Sequence, residues 1–210
     1  MAAIALLIYL LALGLAFGWR SLAQWRRTGD TGLRLDAGPV GTLRWWAKLL
    51  FVAALLLGTA GPVAALAGMN PAAVVVDRTA MWISGLVLAV AGVIAVLAAQ
   101  TGMGTSWRVG VDPGERTDLV TGGAFAVARN PIFTAMIVTS LGLTLMVPNP
   151  ISLAATVVLA VSIQLQVRAV EEPYLARVHG AAYAAYASRV GRFLPGIGRL
   201  TGPVEAADHR

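Results

Sequence analysis

Long apolar runs alternate along this chain with short stretches rich in arginine. A spanning helix needs about 20 mainly apolar residues, with a range of about 17–25. Residues 2–19, 49–69 and 80–100 form three such runs in the first half. The first carries no charge, and no basic segment precedes its apolar stretch, which favours a retained helix over a signal peptide. Pro62 marks a point for a kink in the second. Residues 132–167 hold two further spans, divided by Pro148-Asn149-Pro150. Each proline lacks a donor and restricts the residue before it, so a tight turn and a helical hairpin are predicted. In 169–190, Tyr183 and Tyr186 stand three apart and share a helical face with Val190. An amphipathic cytoplasmic helix lying on or under the bilayer is predicted there. Residues 199–210 are predicted as a disordered tail.

The pattern defines an all-α polytopic integral membrane protein of about five transmembrane helices. Residues 1–100 hold the three N-terminal helices with a basic loop at 20–48, and 101–198 hold the half that carries chemistry. Composition agrees, since the chain is 58% hydrophobic and only 12% charged, against about 25% charged in a soluble domain. Basic residues gather in 20–48, 101–130 and 168–210, whereas 70–79 holds only Arg78. Positive-inside bias with five spans puts the N-terminus outside and the C-terminus in the cytoplasm. The net charge of +6 is spread beside apolar spans and forms no single basic domain, which argues against nucleic acid. The chain has no cysteine and no paired histidines, so no metal site is expected.

Polar groups concentrate in 101–134 and 164–195, which flank the hairpin. A hairpin returns to its starting side, so Arg129 and Asn130 are expected to face Arg168, Glu171 and Glu172. Each residue also has a plain structural role. Arg129 can snorkel to headgroups. Asn130-Pro131 can start a helix, as N-cap and first-turn residue. The two glutamates can form an ion-pair network with the arginines. Tyr183 and Tyr186 can sit in an interfacial belt, and the Arg192–Pro195 stretch can be a surface anchor. The glycines in 101–123 are too irregular for a dinucleotide or P-loop fingerprint.

The run Leu119-Val120-Thr121-Gly122-Gly123-Ala124-Phe125, continuing to Arg129-Asn130-Pro131-Ile132-Phe133, resembles the core motif of the isoprenylcysteine carboxyl methyltransferase family. A second family block follows in order: Arg168, Glu171-Glu172, Leu175, Gly180, Tyr183, Tyr186 and Arg192-Phe193-x-Pro195. Asn130 stands where the family usually has His, Phe125 and Phe133 where Tyr is usual, and Ala124 where Pro is usual. The resemblance implies a membrane methyltransferase that uses S-adenosylmethionine and takes a lipophilic acceptor from the bilayer. It places Gly123, Arg129, Asn130 and Pro131 in the cofactor pocket, and Glu171, Glu172, Tyr183 and Tyr186 around it. Arg192 and Pro195 complete a lid, and Arg168, with the glutamates, lies near the reacting centre. O-methylation of a carboxylate is the leading expectation. A phospholipid N-methyltransferase, a sterol-reductase-like NADPH enzyme, and a small transporter or scaffold are the alternatives. The Ala/Val/Arg-rich, lysine-poor composition suggests a bacterial inner membrane.

Overall fold

The computed structural model describes residues 1–69, 78–110 and 117–200. It consists of helices α1 (Ala2–Leu13), α2 (Arg20–Thr28), α3 (Leu43–Leu66), α4 (Arg78–Gly102), α5 (Pro131–Met146), α6 (Pro150–Gln166) and α7 (Glu172–Arg189). Two π-helical segments join helices end to end. Gly14–Trp19 links α1 to α2, and Val167–Glu171 links α6 to α7. Among the described residues, four helical stretches are long and apolar enough to cross a membrane, and α5, with 16 residues, is a shorter apolar helix. The chain is an integral membrane protein of the all-α polytopic kind.

Small residues let the helices approach closely, as they do where lipid supplies no hydrophobic contrast. A Cβ on Gly85 would meet the Gly142 carbonyl oxygen at 2.7 Å, and one on Gly92 would meet the Ala135 oxygen at 3.0 Å. α4 and α5 therefore run antiparallel with backbones nearly touching. The hairpin forms as predicted. Asn149 caps α6 by accepting from the Ser152 N–H at 2.8 Å, and its Nδ2 donates to the Gly61 oxygen of α3 at 2.9 Å. The turn thus ties α3 to α6. Pro62 lies inside α3, which continues past it.

Three sequence expectations change. The first helix does not end near residue 19; through its π segment it continues to Thr28 and stops at Gly29, whose φ of 74° breaks it. Arg20, expected in a basic loop, is instead 3% exposed. It donates to the Gln100 oxygen at 3.3 Å and the Gly104 oxygen at 2.8 Å, and its guanidinium stacks 4.7 Å from the centre of the Trp107 ring. Last, the C-terminal helix grows straight out of the hairpin. Its one sharp bend is at Gly180, where φ of 47° and ψ of −122° depart from helical values. The predicted apolar face is present: Tyr183, Tyr186 and Ala187 are buried against Leu119, Leu175 and Val190. Most of the predicted tail, residues 201–210, lies outside the described residues.

The polar helix ends converge. Leu33 bridges Val109, Lys48 donates to the Arg34 oxygen at 2.9 Å, and Ala128 bridges Gly191. Arg34 also pairs with Asp30 and holds that carboxyl well below the usual carboxylate range. All of these loops meet at the end opposite Arg78, the first residue of α4.

Candidate active site

The two blocks singled out in the sequence are joined by backbone first. The Arg129 N–H donates to the Gly191 oxygen at 2.8 Å, and the Asn130 N–H to the Arg192 oxygen at 3.0 Å. Thr134 adds a hydroxyl bond to the Phe193 oxygen at 2.8 Å. This pairing needs glycine at 191, because a Cβ there would stand 2.8 Å from the Gly196 nitrogen. Asn130 does not cap α5 with its side chain; its Nδ2 also donates to the Arg192 oxygen, at 3.0 Å. Pro131 does occupy the first turn of α5.

Glu172 sits between two arginines. Its Oε1 accepts from Arg129 Nη2 at 2.6 Å and from Arg192 Nε at 2.8 Å, while Oε2 accepts from Arg192 Nη2 at 2.8 Å. Arg129 has further partners, the carbonyl oxygens of Ala187 at 3.0 Å, Gly198 at 3.1 Å and Val190. Its terminal nitrogens are therefore spent on the protein itself, which excludes both the snorkelling role and a free fork for a ligand carboxylate. Arg192 gives its fork to Glu172, and that carboxylate raises the Arg192 pKa above its ordinary value. Buried charges need such pairing to be stable; of the Arg129 nitrogens, only Nε is left without a partner among the described residues. The three side chains lock the segment after α7 onto the start of α5.

Beside the lock lies a cavity of about 240 Å³ with mostly apolar walls. Of the expected site residues, Arg129, Asn130, Pro131, Glu171, Glu172, Tyr183 and Tyr186 line it. Phe125, Phe133 and Tyr174 add aromatic faces. Tyr186 is fixed by a 2.6 Å bond to the Phe125 oxygen, and its ring meets that of Tyr183 edge-on at 6.4 Å. Glu171 keeps spare acceptor capacity: among the described residues it accepts from Gln166 Nε2 alone, at 3.3 Å, in contrast to Glu172, and Asp118 adds an exposed carboxylate to the same wall.

Gly123, Arg168, Arg192 and Pro195 are not in the cavity wall. Arg168 is the clear departure. It is exposed and donates to Gln164 Oε1 at 3.0 Å. The π segment explains why: a π turn inserts an extra residue per turn and rotates the face that follows. Glu171 and Glu172 swing inward while Arg168 stays outward. Arg168→Ala is accordingly expected to leave ligand affinity and melting temperature close to those of the parent, within about twofold in affinity, as for exposed substitutions; a titration of both proteins checks this. Pro195 is exposed, and Gly123 begins a short 3₁₀ turn with φ of 59°.

Residues that carried no sequence signal also line the wall, beside Arg108 and Asp118 of the 101–130 stretch. Ala16 and Phe17 come from the first π segment, Ala47, Lys48 and Phe51 from α3, and Gln100 from α4. A second cavity of about 70 Å³ lies deeper between the helices and shares Ala16, Phe17 and Met136 with the first. No group of three or more metal-ligating side chains occurs among the described residues.

Fold and site together define a membrane protein with an amphiphilic cavity at its polar end, walled by carboxylates and aromatic rings next to an apolar chamber. Residues 80–182 match the family model of phospholipid methyltransferases. Protein-S-isoprenylcysteine O-methyltransferase B of Arabidopsis thaliana is 31% identical over 118 residues, covering 54% of this chain and 60% of that protein. No solved structure matches significantly. The matched residues are thus similar to the phospholipid methyltransferase family and to a plant isoprenylcysteine methyltransferase. The chain spans 60% of the length of the curated relative.

Proposed function

We propose that this protein is a membrane methyltransferase that uses S-adenosylmethionine and methylates a lipophilic acceptor, with a carboxylate as the favoured acceptor group. One observation carries the reading. The cavity lined by the two family blocks places a carboxylate with spare acceptor capacity among aromatic faces, and it shares lining residues with a neighbouring apolar chamber. The residues suit a cofactor with a sulfonium and an ammonium group. Glu171 offers a carboxylate to either cation, and Tyr174, Tyr183 and Phe125 present π faces that attract a cation as well as surfaces on which adenine stacks.

When bound, S-adenosylmethionine supplies a methyl group on sulfur, and the C–S bonding pair stays with sulfur as the acceptor atom takes the methyl. The chain's part is orientation and exclusion of water. A carboxylate acceptor, with a reference pKa of about 4, is already ionised at neutral pH and needs no base. An amine or hydroxyl acceptor needs one, and Glu171 then takes the proton. The basic loops that converge around the site favour a cytoplasmic active site and an external N-terminus, in a bacterial inner membrane. The matched family model is that of phospholipid methyltransferases, so a phospholipid N-methyltransferase is the second reading.

Calorimetric titration of the detergent-purified protein with S-adenosylhomocysteine and with NADPH tests the class. Binding of the first and not the second is expected. Binding of NADPH alone would replace the methyltransferase with a reductase.

A further inference from the structure

Lys48 lies on the first turns of α3, inside the larger cavity's wall. Its ammonium donates to the backbone oxygens of Arg34 and Asp36, each at 2.9 Å. An ammonium has three donors, so one N–H is left. Neither partner neutralises it. Asp36, the nearest carboxylate in sequence, gives its side chain to Arg44 at 3.2 Å, and among the described residues no carboxylate pairs with Lys48. A half-buried cation therefore faces the cavity with a donor to spare. Glu171 lines the same cavity without pairing with it.

Lys48 has the charges of Arg44 and Asp36 near it on the loop side, and apolar side chains on the helix side. Ala47 and Phe51 flank it on α3, and the Phe51 ring meets Phe17 edge-on at 6.3 Å. Phe17, Ala16 and Met136 also border the deeper apolar cavity. One wall thus presents a positive charge at its polar end and apolar side chains shared with the deeper cavity beyond it. Lys48, Phe51, Ala16 and Phe17 all lie outside residues 80–182, so this wall is independent of the family-matched segment.

We propose that Lys48 is the specificity-determining residue for an acceptor with an anionic head, a carboxylate or a phosphate, whose apolar tail passes Phe17 and Ala16 into the deeper cavity. The inference rests on the methyltransferase reading and sharpens it. A cation at the head position repels an alkylammonium and holds an anion by a charge-assisted hydrogen bond. The backbone contacts of Lys48 fix that position, because they tie the ammonium to the loop that follows α2.

The test uses three amphiphiles of equal chain length: a long-chain S-alkylated N-acetylcysteine, an alkyl phosphate and an alkylamine. Binding of each is measured with S-adenosylhomocysteine present, in the parent, Lys48→Met and Lys48→Arg. The parent is expected to bind the two anions at least about tenfold more tightly than the amine, as charge-assisted bonding requires. Lys48→Met is expected to lose that preference, Lys48→Arg to keep it, and S-adenosylhomocysteine affinity to stay within about twofold in all three proteins. The tighter of the two anions identifies the head as carboxylate or phosphate. A parent that prefers the amine overturns the proposal without any variant. So does a Lys48→Met protein that keeps the anion preference, or one that loses S-adenosylhomocysteine instead, which would assign Lys48 to the cofactor's own carboxylate. Failure of the parent to bind S-adenosylhomocysteine would overturn the methyltransferase reading instead.

Discussion

Glu172→Ala is expected to destabilise the protein by about 3–5 kcal/mol, since removing one partner of a buried ion pair strands the other. Here it strands two. Arg129 spends one guanidinium nitrogen and Arg192 two on this carboxylate, and the Arg129 side chain is only 2% exposed. Thermal unfolding in detergent reads the effect as a fall of about 6 °C or more for a chain of this size. Glu172→Gln keeps one acceptor oxygen and is expected to fall between parent and alanine. An alanine variant that melts with the parent would show that the pairing adds nothing, and Glu172 would return to the list of groups available to a ligand.

Glu171→Gln is expected to behave in the opposite way. Folding loses little, because Glu171 has a single weak partner in Gln166. Ligand binding loses a charge-assisted hydrogen bond, worth about 1.5–3 kcal/mol, or roughly 10- to 100-fold in affinity. Comparison of two ligands locates the contact. If Glu171 faces the ammonium, S-adenosylmethionine and S-adenosylhomocysteine weaken together. If it faces the sulfonium, only the charged ligand weakens. An unchanged affinity for both, with the melting temperature also unchanged, would remove Glu171 from the site.

These two adjacent glutamates show where sequence reasoning stopped. Their proximity to Arg129 followed from the hairpin, and the hairpin followed from Pro148-Asn149-Pro150 between two apolar runs. The blocks around 129 and 192 were legible as a pair for the same reason. The division of labour between Glu171 and Glu172 was not legible, because it depends on a π segment that leaves no trace in composition or in a 3.6-residue period. Arg168 was misplaced by that rotation. Arg20 was missed for a different reason: a buried arginine at the end of a span reads like a snorkelling one. Gln100, whose Nε2 donates to the Ala16 oxygen at 3.1 Å, could be noticed as a polar residue closing an apolar run, but its partner lies in the other π segment. Gly191 carried the weakest signal of all, a single glycine whose need appears only once the Gly196 nitrogen is in place.

The lock around Arg129 also sets an order of events in biosynthesis. The arginine leaves the ribosome 43 residues ahead of Glu172 and 69 ahead of Gly198, two of the groups that complete its coordination. Until those groups are synthesised the guanidinium lacks its internal partners and has to be solvated by water or lipid phosphate. Only when the last stretch folds back does the charge exchange those partners for internal ones. The cavity's polar seal is thus completed by residues near the C-terminal end of the described chain, so it closes after the hairpin that it rests on has been synthesised.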